Sequence, residues 1–122
     1  MARPRPAADV STRRPLPQAV FQILVALADR DRHGYAVMQD VAARTDGALK
    51  LSPGTLYASI KRMLDEGLIT EVRSRPSPDE DDERRRYYRI TQLGRDIAHA
   101  EADRLTVLLR QARAVGLTPK RA

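Results

Sequence analysis

The chain contains no cysteine and no tryptophan, and its 122 residues include a single phenylalanine. Without cysteine there is no disulfide framework, no thiolate metal site and no cysteine nucleophile. No run of about 18 apolar residues is present, so the sequence predicts no membrane-spanning helix. The opening stretch MARPRPAADVSTRRPLP also lacks the apolar core of a secretory signal. Together these absences favour a cytoplasmic protein that does not bind a membrane.

Features that organise most enzyme active sites are also scarce. The only histidines are His33 and His99, there is no glycine-rich phosphate loop, and no nucleophile has a recognisable base at motif spacing. The densest group of carboxylates, Asp79 to Glu83, lies in a polar loop, which cannot hold a preorganised acid-base pair. The sequence therefore predicts no catalytic residue, no metal site and no cofactor.

The positive charge is concentrated at the two ends of the chain. The net charge is +6, of which residues 1–15 contribute +3 and residues 110–122 contribute +4. The segment between them carries 14 basic and 15 acidic groups. A basic overall composition is therefore weak support for nucleic-acid binding, and the position of each charge on its predicted element matters more.

Helical periodicity begins after a basic tail. Residues 1–15, rich in proline and arginine, are expected to be disordered. Apolar residues then recur at helical spacing up to about Ala28, and the run DRDRHG is expected to break this first helix. A second helix is predicted from about Tyr35 to Thr45, with one apolar face formed by Tyr35, Met38, Val41 and Ala42. We interpret His33, Gly34 and Tyr35 as a structural junction in which glycine permits a turn, tyrosine packs and histidine satisfies a backbone group.

The stretch LKLSPGTLYASIKRMLDEGL carries the strongest local signals. Ser52 before Pro53 predicts a helix start, because serine caps free backbone N–H groups and proline suits the first turn. Gly67 predicts the stop. One face of this third helix is apolar (Leu56, Tyr57, Ile60, Met63 and Leu64), with Tyr57 at its margin. The opposite face is small near its start and basic farther along, and it comprises Gly54, Thr55, Ala58, Ser59, Lys61 and Arg62.

A hairpin and a long helix complete the pattern. LITEVRSR and RRRYYRIT are two strand candidates separated by the polar loop PSPDEDDE. On the returning strand, a period of two places Tyr88 and Ile90 inward and Arg85, Tyr87 and Arg89 outward. Thr91 can then cap a final helix that runs to about Val115.

Three short helices followed by a hairpin is the order of a winged helix-turn-helix domain. In addition, HGYAVMQDV, LSPGTLYASIKRMLDEGLI and RRYYRITQLGR resemble, at this spacing, the PadR family of transcriptional regulators. The resemblance covers roughly residues 16–112. It implies a mainly α fold with a small β-hairpin (α+β class), a winged helix-turn-helix domain, a C-terminal dimerisation helix, and repression relieved by a small-molecule effector.

These features predict a chain that binds double-stranded DNA. A capped helix start with small neighbours can approach phosphates and base edges closely, while lysine and arginine can reach phosphate or guanine. The predicted DNA-binding residues are Ser52, Gly54, Thr55, Tyr57, Ala58, Ser59, Lys61, Arg62, Arg85, Arg86 and Tyr87. The acidic run Asp79 to Glu83 either points away from DNA or shields the arginines from non-specific DNA. The alternative is a winged-helix protein-interaction module without an operator of its own.

The last helix is expected to form a homodimer, because its apolar stripe extends beyond what a three-helix core can cover and an isolated helix is marginal in water. Val20, Phe21, Ile23, Leu24, Leu105, Leu108, Leu109 and Ala112 are the predicted lining of the dimer interface or of an effector pocket. The predicted organisation is a basic tail (1–15), a winged domain (16–91), a dimerisation helix (92–115) and a second basic tail (116–122).

Overall fold

A computed structural model describes residues 15–72 and 86–117 of the chain. The elements in this part are α1 (Gln18–Asp29), β1 (Arg32–His33), α2 (Gly34–Arg44), α3 (Pro53–Asp65), β2 (Ile69–Val72), β3 (Tyr87–Ile90) and α4 (Gln92–Ala114). The predictions made for the basic N-terminal tail, the acidic run Asp79 to Glu83 and Arg85 concern residues outside it. The expected α+β architecture with a winged helix-turn-helix order is confirmed.

The junction between α1 and α2 differs from the prediction. The run DRDRHG ends α1, but it also forms β1, which pairs antiparallel with β3. The sheet of the described residues therefore has three strands in the order β1-β3-β2 instead of two. His33 caps α2 as expected, since its Nδ1 accepts a hydrogen bond from the Ala36 backbone N–H at 3.2 Å.

Arg32, the first residue of β1, holds this junction together. Its Nε donates to the Ala26 carbonyl at 3.0 Å, so it satisfies a carbonyl in the last turn of α1. Its guanidinium also lies 2.8 Å from a carboxylate oxygen of Asp29 and 3.3 Å from one of Asp40. Because Asp40 lies on α2, this arginine links the end of one helix to the face of the next.

The capping residues predicted for α3 are confirmed. The Ser52 side chain accepts from the Thr55 backbone N–H at 3.1 Å, and Pro53 is the first helical residue. At the other end Gly67 has φ 78°, its N–H donates to the Leu64 carbonyl, and the Leu68 N–H donates to the Met63 carbonyl. This pair of bonds is a Schellman motif, which ends the helix and turns the chain into β2.

A single core lies between the helices and the inner face of the sheet. Ile23, Leu24 and Leu27 of α1 are fully buried. The rest of the core is contributed mainly by Val37, Val41, Leu56, Ile60, Met63, Leu68, Ile69, Tyr88, Ile90 and Ile97. Tyr88 and Ile90 therefore face inward, as the period of two predicted.

The last helix belongs to the core only along its first half. Thr91 caps it by accepting from the Gly94 N–H at 3.0 Å, and Ile97 is buried. Glu101 is 7% exposed. Its carboxylate pairs with Arg104 and accepts from the Leu16 backbone N–H at 3.4 Å, which ties the start of the described chain to the middle of α4. Beyond this point the helix leaves the rest of the chain.

Candidate nucleic-acid interface

The outward face of α3 is open to solvent along its length. Gly54, Thr55, Ala58, Lys61 and Arg62 are exposed and Ser59 is half-buried, whereas the opposite face is fixed by the core. The predicted small and basic face is therefore a continuous exposed surface. An added Cβ at Gly54 would meet no atom within 4 Å, so a ligand can approach the helix start closely.

The first turn of this helix is locally ordered. The Ser52 hydroxyl donates to the Thr55 hydroxyl at 3.1 Å while it accepts from the Thr55 N–H. The Thr55 hydroxyl retains donor and acceptor capacity at an exposed position. Farther along, Arg62 lies 3.8 Å from a carboxylate oxygen of Glu66, and both side chains are largely exposed. Such an exposed pair contributes little to stability, so the guanidinium can exchange this partner for another anion.

Only the base of the predicted wing lies in the described residues. Arg86 is exposed, with its Nη1 3.7 Å from a Glu71 oxygen on the neighbouring strand. Tyr87 is half-buried, and its ring meets the His33 ring edge-on with centroids 5.3 Å apart. The outward residue Arg89 is bound to both carboxylate oxygens of Asp31, and this hydrogen bonding raises the pKa of Arg89.

Tyr35 was wrongly predicted to pack inward. Its side chain is 59% exposed, while Gly34, Val37 and Val41 form the buried face of α2. The error is one of helical phase: at about 100° per residue Tyr35 lies roughly 120° around the helix from Val41, whereas Gly34, which is buried against Tyr57, lies on the same side as Val41. Tyr57 itself is 48% exposed and crosses from α3 to this corner. Tyr57, which lies on α3, therefore adjoins the predicted interface, and Tyr35 is a second exposed tyrosine at the start of α2. The capping signal of His33 could have located that helix start correctly.

A separate groove lies between α1 and α4. It encloses about 500 Å³, with an apolar floor that includes Phe21, Leu24 and Ala102 and a polar rim that includes Arg95 and His99. Phe21 and Leu24 belong to the predicted effector set. Val20 and Ile23, assigned to the same set, contribute to the core of the chain itself. Leu105, Leu108 and Leu109 lie on α4 beyond the groove and are 41%, 45% and 39% exposed.

Residues 15–72 and 86–117 contain no group of three or more histidine, aspartate or glutamate side chains placed to hold a metal ion. In the same ranges no helix is both long and apolar enough to cross a bilayer.

The exposed face of α3, followed in the chain by the base of the predicted wing, places this fold in the class of winged helix-turn-helix proteins. Known proteins of similar fold include a PadR family transcription regulator from Clostridium difficile, with TM-score 0.67, 23% identity, and coverage of 81% of this chain and 98% of that one. A transcriptional regulator from Clostridium thermocellum matches with TM-score 0.65 and 24% identity, covering 78% of this chain and 89% of that one. A putative transcriptional regulator from Thermoplasma acidophilum matches with TM-score 0.62 and 21% identity, covering 84% of this chain and 94% of that one.

Sequence comparison narrows the class to one family. The model of the transcriptional regulator PadR-like family matches residues 23–100. An uncharacterized protein of Lysinibacillus sphaericus is 34% identical over 73 residues, which is 60% of this chain. This chain spans 64% of the length of that relative. The chain belongs to the PadR-like family of transcriptional regulators, so the resemblance seen in its motifs is confirmed, as is the prediction of a regulator instead of an enzyme.

Proposed function

We propose that the chain regulates transcription by binding double-stranded DNA sequence-specifically as a homodimer, and that it represses by occupying an inverted-repeat operator. The observation that carries this proposal is the outward face of α3. That face is small at the capped start, basic farther along, and exposed except at the half-buried Ser59. In a helix-turn-helix protein the corresponding helix lies in the major groove with its first residues against base edges.

The residues of this face divide by the contacts their chemistry allows. Thr55 and Ser59 can exchange hydrogen bonds with base edges, and Ala58 can contact a thymine methyl group. Lys61 and Arg62, one to two turns farther along, suit phosphate or guanine. Arg86, which is exposed and directly precedes β3, suits the DNA backbone, and the predicted wing residue Arg85 carries the same charge.

Homodimer formation is supported by the second half of α4. Leu105, Leu108 and Leu109 form an apolar stripe that extends away from the core of the chain. A second copy can cover this stripe, and a two-fold axis would present two α3 helices to half-sites roughly 34–36 Å apart or a multiple of that distance. The operator is therefore expected to be an inverted repeat.

A small-molecule effector would bind in the groove between α1 and α4. Its volume of about 500 Å³ is within the range of ligand sites, and its apolar floor with a few polar rim groups is typical of them. Because α4 also carries the dimer stripe, a ligand in the groove could alter the relative position of the two α3 helices.

The first experiment is selection of bound duplexes from a random DNA library, followed by salt titrations of the selected duplex and its scramble. We expect an enriched inverted repeat, a steep loss of affinity with salt, and binding to the scramble that is weaker on the order of a thousandfold. Equal binding to the scramble would contradict the proposal and favour a protein-interaction module.

Variants separate the two kinds of DNA contact in the same assay. Replacing Arg85 and Arg86 with alanine should weaken binding to every duplex and make the salt dependence shallower, because fewer counterions are released. Replacing Thr55 or Arg62 with alanine should instead relax the preference at particular base pairs. A uniform loss in the Thr55 or Arg62 variants would assign these residues to the DNA backbone.

A further inference from the structure

Tyr57 joins the start of α2 to α3 at a close contact. An added Cβ at Gly34 would lie 2.4 Å from the Tyr57 hydroxyl oxygen and 2.8 Å from its Cζ atom. Gly34 does not have a positive φ, so the space taken by the tyrosine, not a special backbone conformation, explains the glycine. The phenol of Tyr57 therefore lies directly over the first residue of α2.

The Tyr57 phenol also has an electrostatic effect on the wing strand. The pKa of Tyr88 on β3 is raised, first by burial, then by Glu71 and by the nearby Tyr57 phenol. Tyr57 is therefore bounded by α2 on one side. It is nevertheless 48% exposed. A ring held in this way loses little conformational entropy when its free side meets a ligand.

Tyr35 provides a second exposed phenol at the start of α2. It immediately follows Gly34, and at 59% it is the more exposed of the two tyrosines. Both side chains are neutral, and each offers one hydroxyl donor. The corner adjoins the outward face of α3, so it is continuous with the DNA-binding surface proposed above.

We propose that Tyr35 and Tyr57 form a neutral phosphate clamp, defined as these two phenols, which grips the DNA backbone at the edge of the groove that α3 enters. The proposal rests on the DNA-binding function proposed above. The first helix of a helix-turn-helix motif crosses the backbone while the second reads bases, which places the start of α2 beside phosphates. Tyrosine hydroxyls are regular donors to phosphate oxygens and carry no sequence information.

A neutral clamp has a signature that distinguishes it from arginine contacts. Replacing either tyrosine with phenylalanine keeps the ring and removes only the hydroxyl. Each single variant should bind both the selected operator and its scramble roughly 5- to 150-fold more weakly, because the proposed homodimer loses one hydrogen bond in each half-site. The slope of affinity against salt should stay at the wild-type value, because no cation is lost and the same number of counterions is released.

Two controls make the result specific. Tyr88→Phe removes a phenol hydroxyl from a side chain that is 5% exposed, and it should leave DNA affinity unchanged. The variant lacking Arg85 and Arg86 should show the shallower salt slope that the tyrosine variants lack. Thermal unfolding and sedimentation of Tyr35→Phe and Tyr57→Phe should match the wild type, which shows that the fold and assembly are intact.

The outcomes also separate this inference from the function on which it rests. If the wild type selects no duplex, the DNA-binding proposal itself fails. If the wild type selects an operator and both phenylalanine variants bind it normally, only the clamp is overturned. A loss of affinity that depends on the identity of one base pair, or a changed slope of affinity against salt, would likewise overturn the assignment of neutral phosphate contacts.

Discussion

At the scale of single residues, Gly94 is the position with the least room for a side chain. An added Cβ would lie 2.1 Å from the Leu68 carbonyl oxygen and 2.9 Å from Cγ1 of Ile90. The carbonyl is backbone and cannot rotate away, and it accepts hydrogen bonds from both the N–H and the hydroxyl of Thr91. The start of α4 thus depends on contact between this glycine and the turn that follows α3.

Replacing Gly94 with alanine is therefore expected to destabilise the fold by about 1 to 3 kcal/mol or more, the usual cost of overpacking. The change should appear in urea unfolding as a lower midpoint with a similar slope. Gly54→Ala is the matched control, because that site has no neighbour within 4 Å of an added Cβ and alanine favours a helix. An unchanged midpoint for Gly94→Ala would show that Leu68 and the helix start can separate without cost.

Gly67 and Gly34 differ in how much of their role the sequence could indicate. Gly67 was predicted as a helix stop from its position after the apolar stripe, and its φ of 78° confirms that role. Gly34 was explained as a turn residue, whereas the structure shows that Tyr57 occupies the space beside it. A helix stop is signalled by residues close in the sequence. Tyr57, in contrast, is more than twenty positions from Gly34, and hydrophobic periodicity does not predict a contact between residues so far apart.

At the scale of elements, the four helices were predicted to within a few residues because each has its own apolar period, and three carry a side-chain cap. The strand β1 was missed because two residues are too short to show a period. It exists through pairing of Arg32 and His33 with Tyr88 and Tyr87, which are remote in the sequence. Local sequence patterns therefore could not predict the pairing of β1 with β3, because its residues are remote from one another in the sequence.

The middle of α4 carries a pH-dependent contact at Glu101. The hydrogen bond from Arg104 lowers the pKa of this carboxyl, burial opposes the shift, and the Leu16 backbone N–H adds to the lowering. A lowered pKa in the folded state means that the contribution to stability is present above the ordinary glutamate value, near about 4.3. It is lost as the pH falls through the folded pKa.

Replacing Glu101 with glutamine should therefore cost on the order of 1 kcal/mol at neutral pH, since a charge-assisted hydrogen bond becomes a neutral one. The unfolding free energies of the variant and the wild type should converge as the pH falls below about 4. Asp103→Asn is the control on the same helix, because that side chain is 72% exposed and should have a small effect. A constant difference between variant and wild type across this range would rule out titration of Glu101 as the cause.

At the scale of the whole molecule, the described residues form one core, and the second half of α4 extends beyond it. The apolar groups of α1 to α3 and the sheet cover one another, whereas the second half of α4 exposes three leucines and one valine. On a helical wheel Leu105, Leu108, Leu109 and Ala112 share one side, and Val107 lies on the opposite side. An isolated helix with such a stripe is only marginally stable, and the proposed homodimer would cover the stripe.

Replacing Leu108 with lysine should disrupt the proposed homodimer. Full burial of a leucine is worth about 1.5 to 3 kcal/mol, and a two-fold interface contains the change twice, so the dimer should weaken by roughly 100-fold or more. Sedimentation equilibrium over a range of concentrations measures the dissociation constant of the dimer directly. Affinity for the operator should fall as the dimer weakens, because a single copy of the chain reaches only one half-site. Val107→Lys is the control: its side chain is 46% exposed on the other side of the helix, and it should leave the dimer intact. If Val107→Lys dissociates the dimer and Leu108→Lys does not, the interface lies on the opposite face of α4.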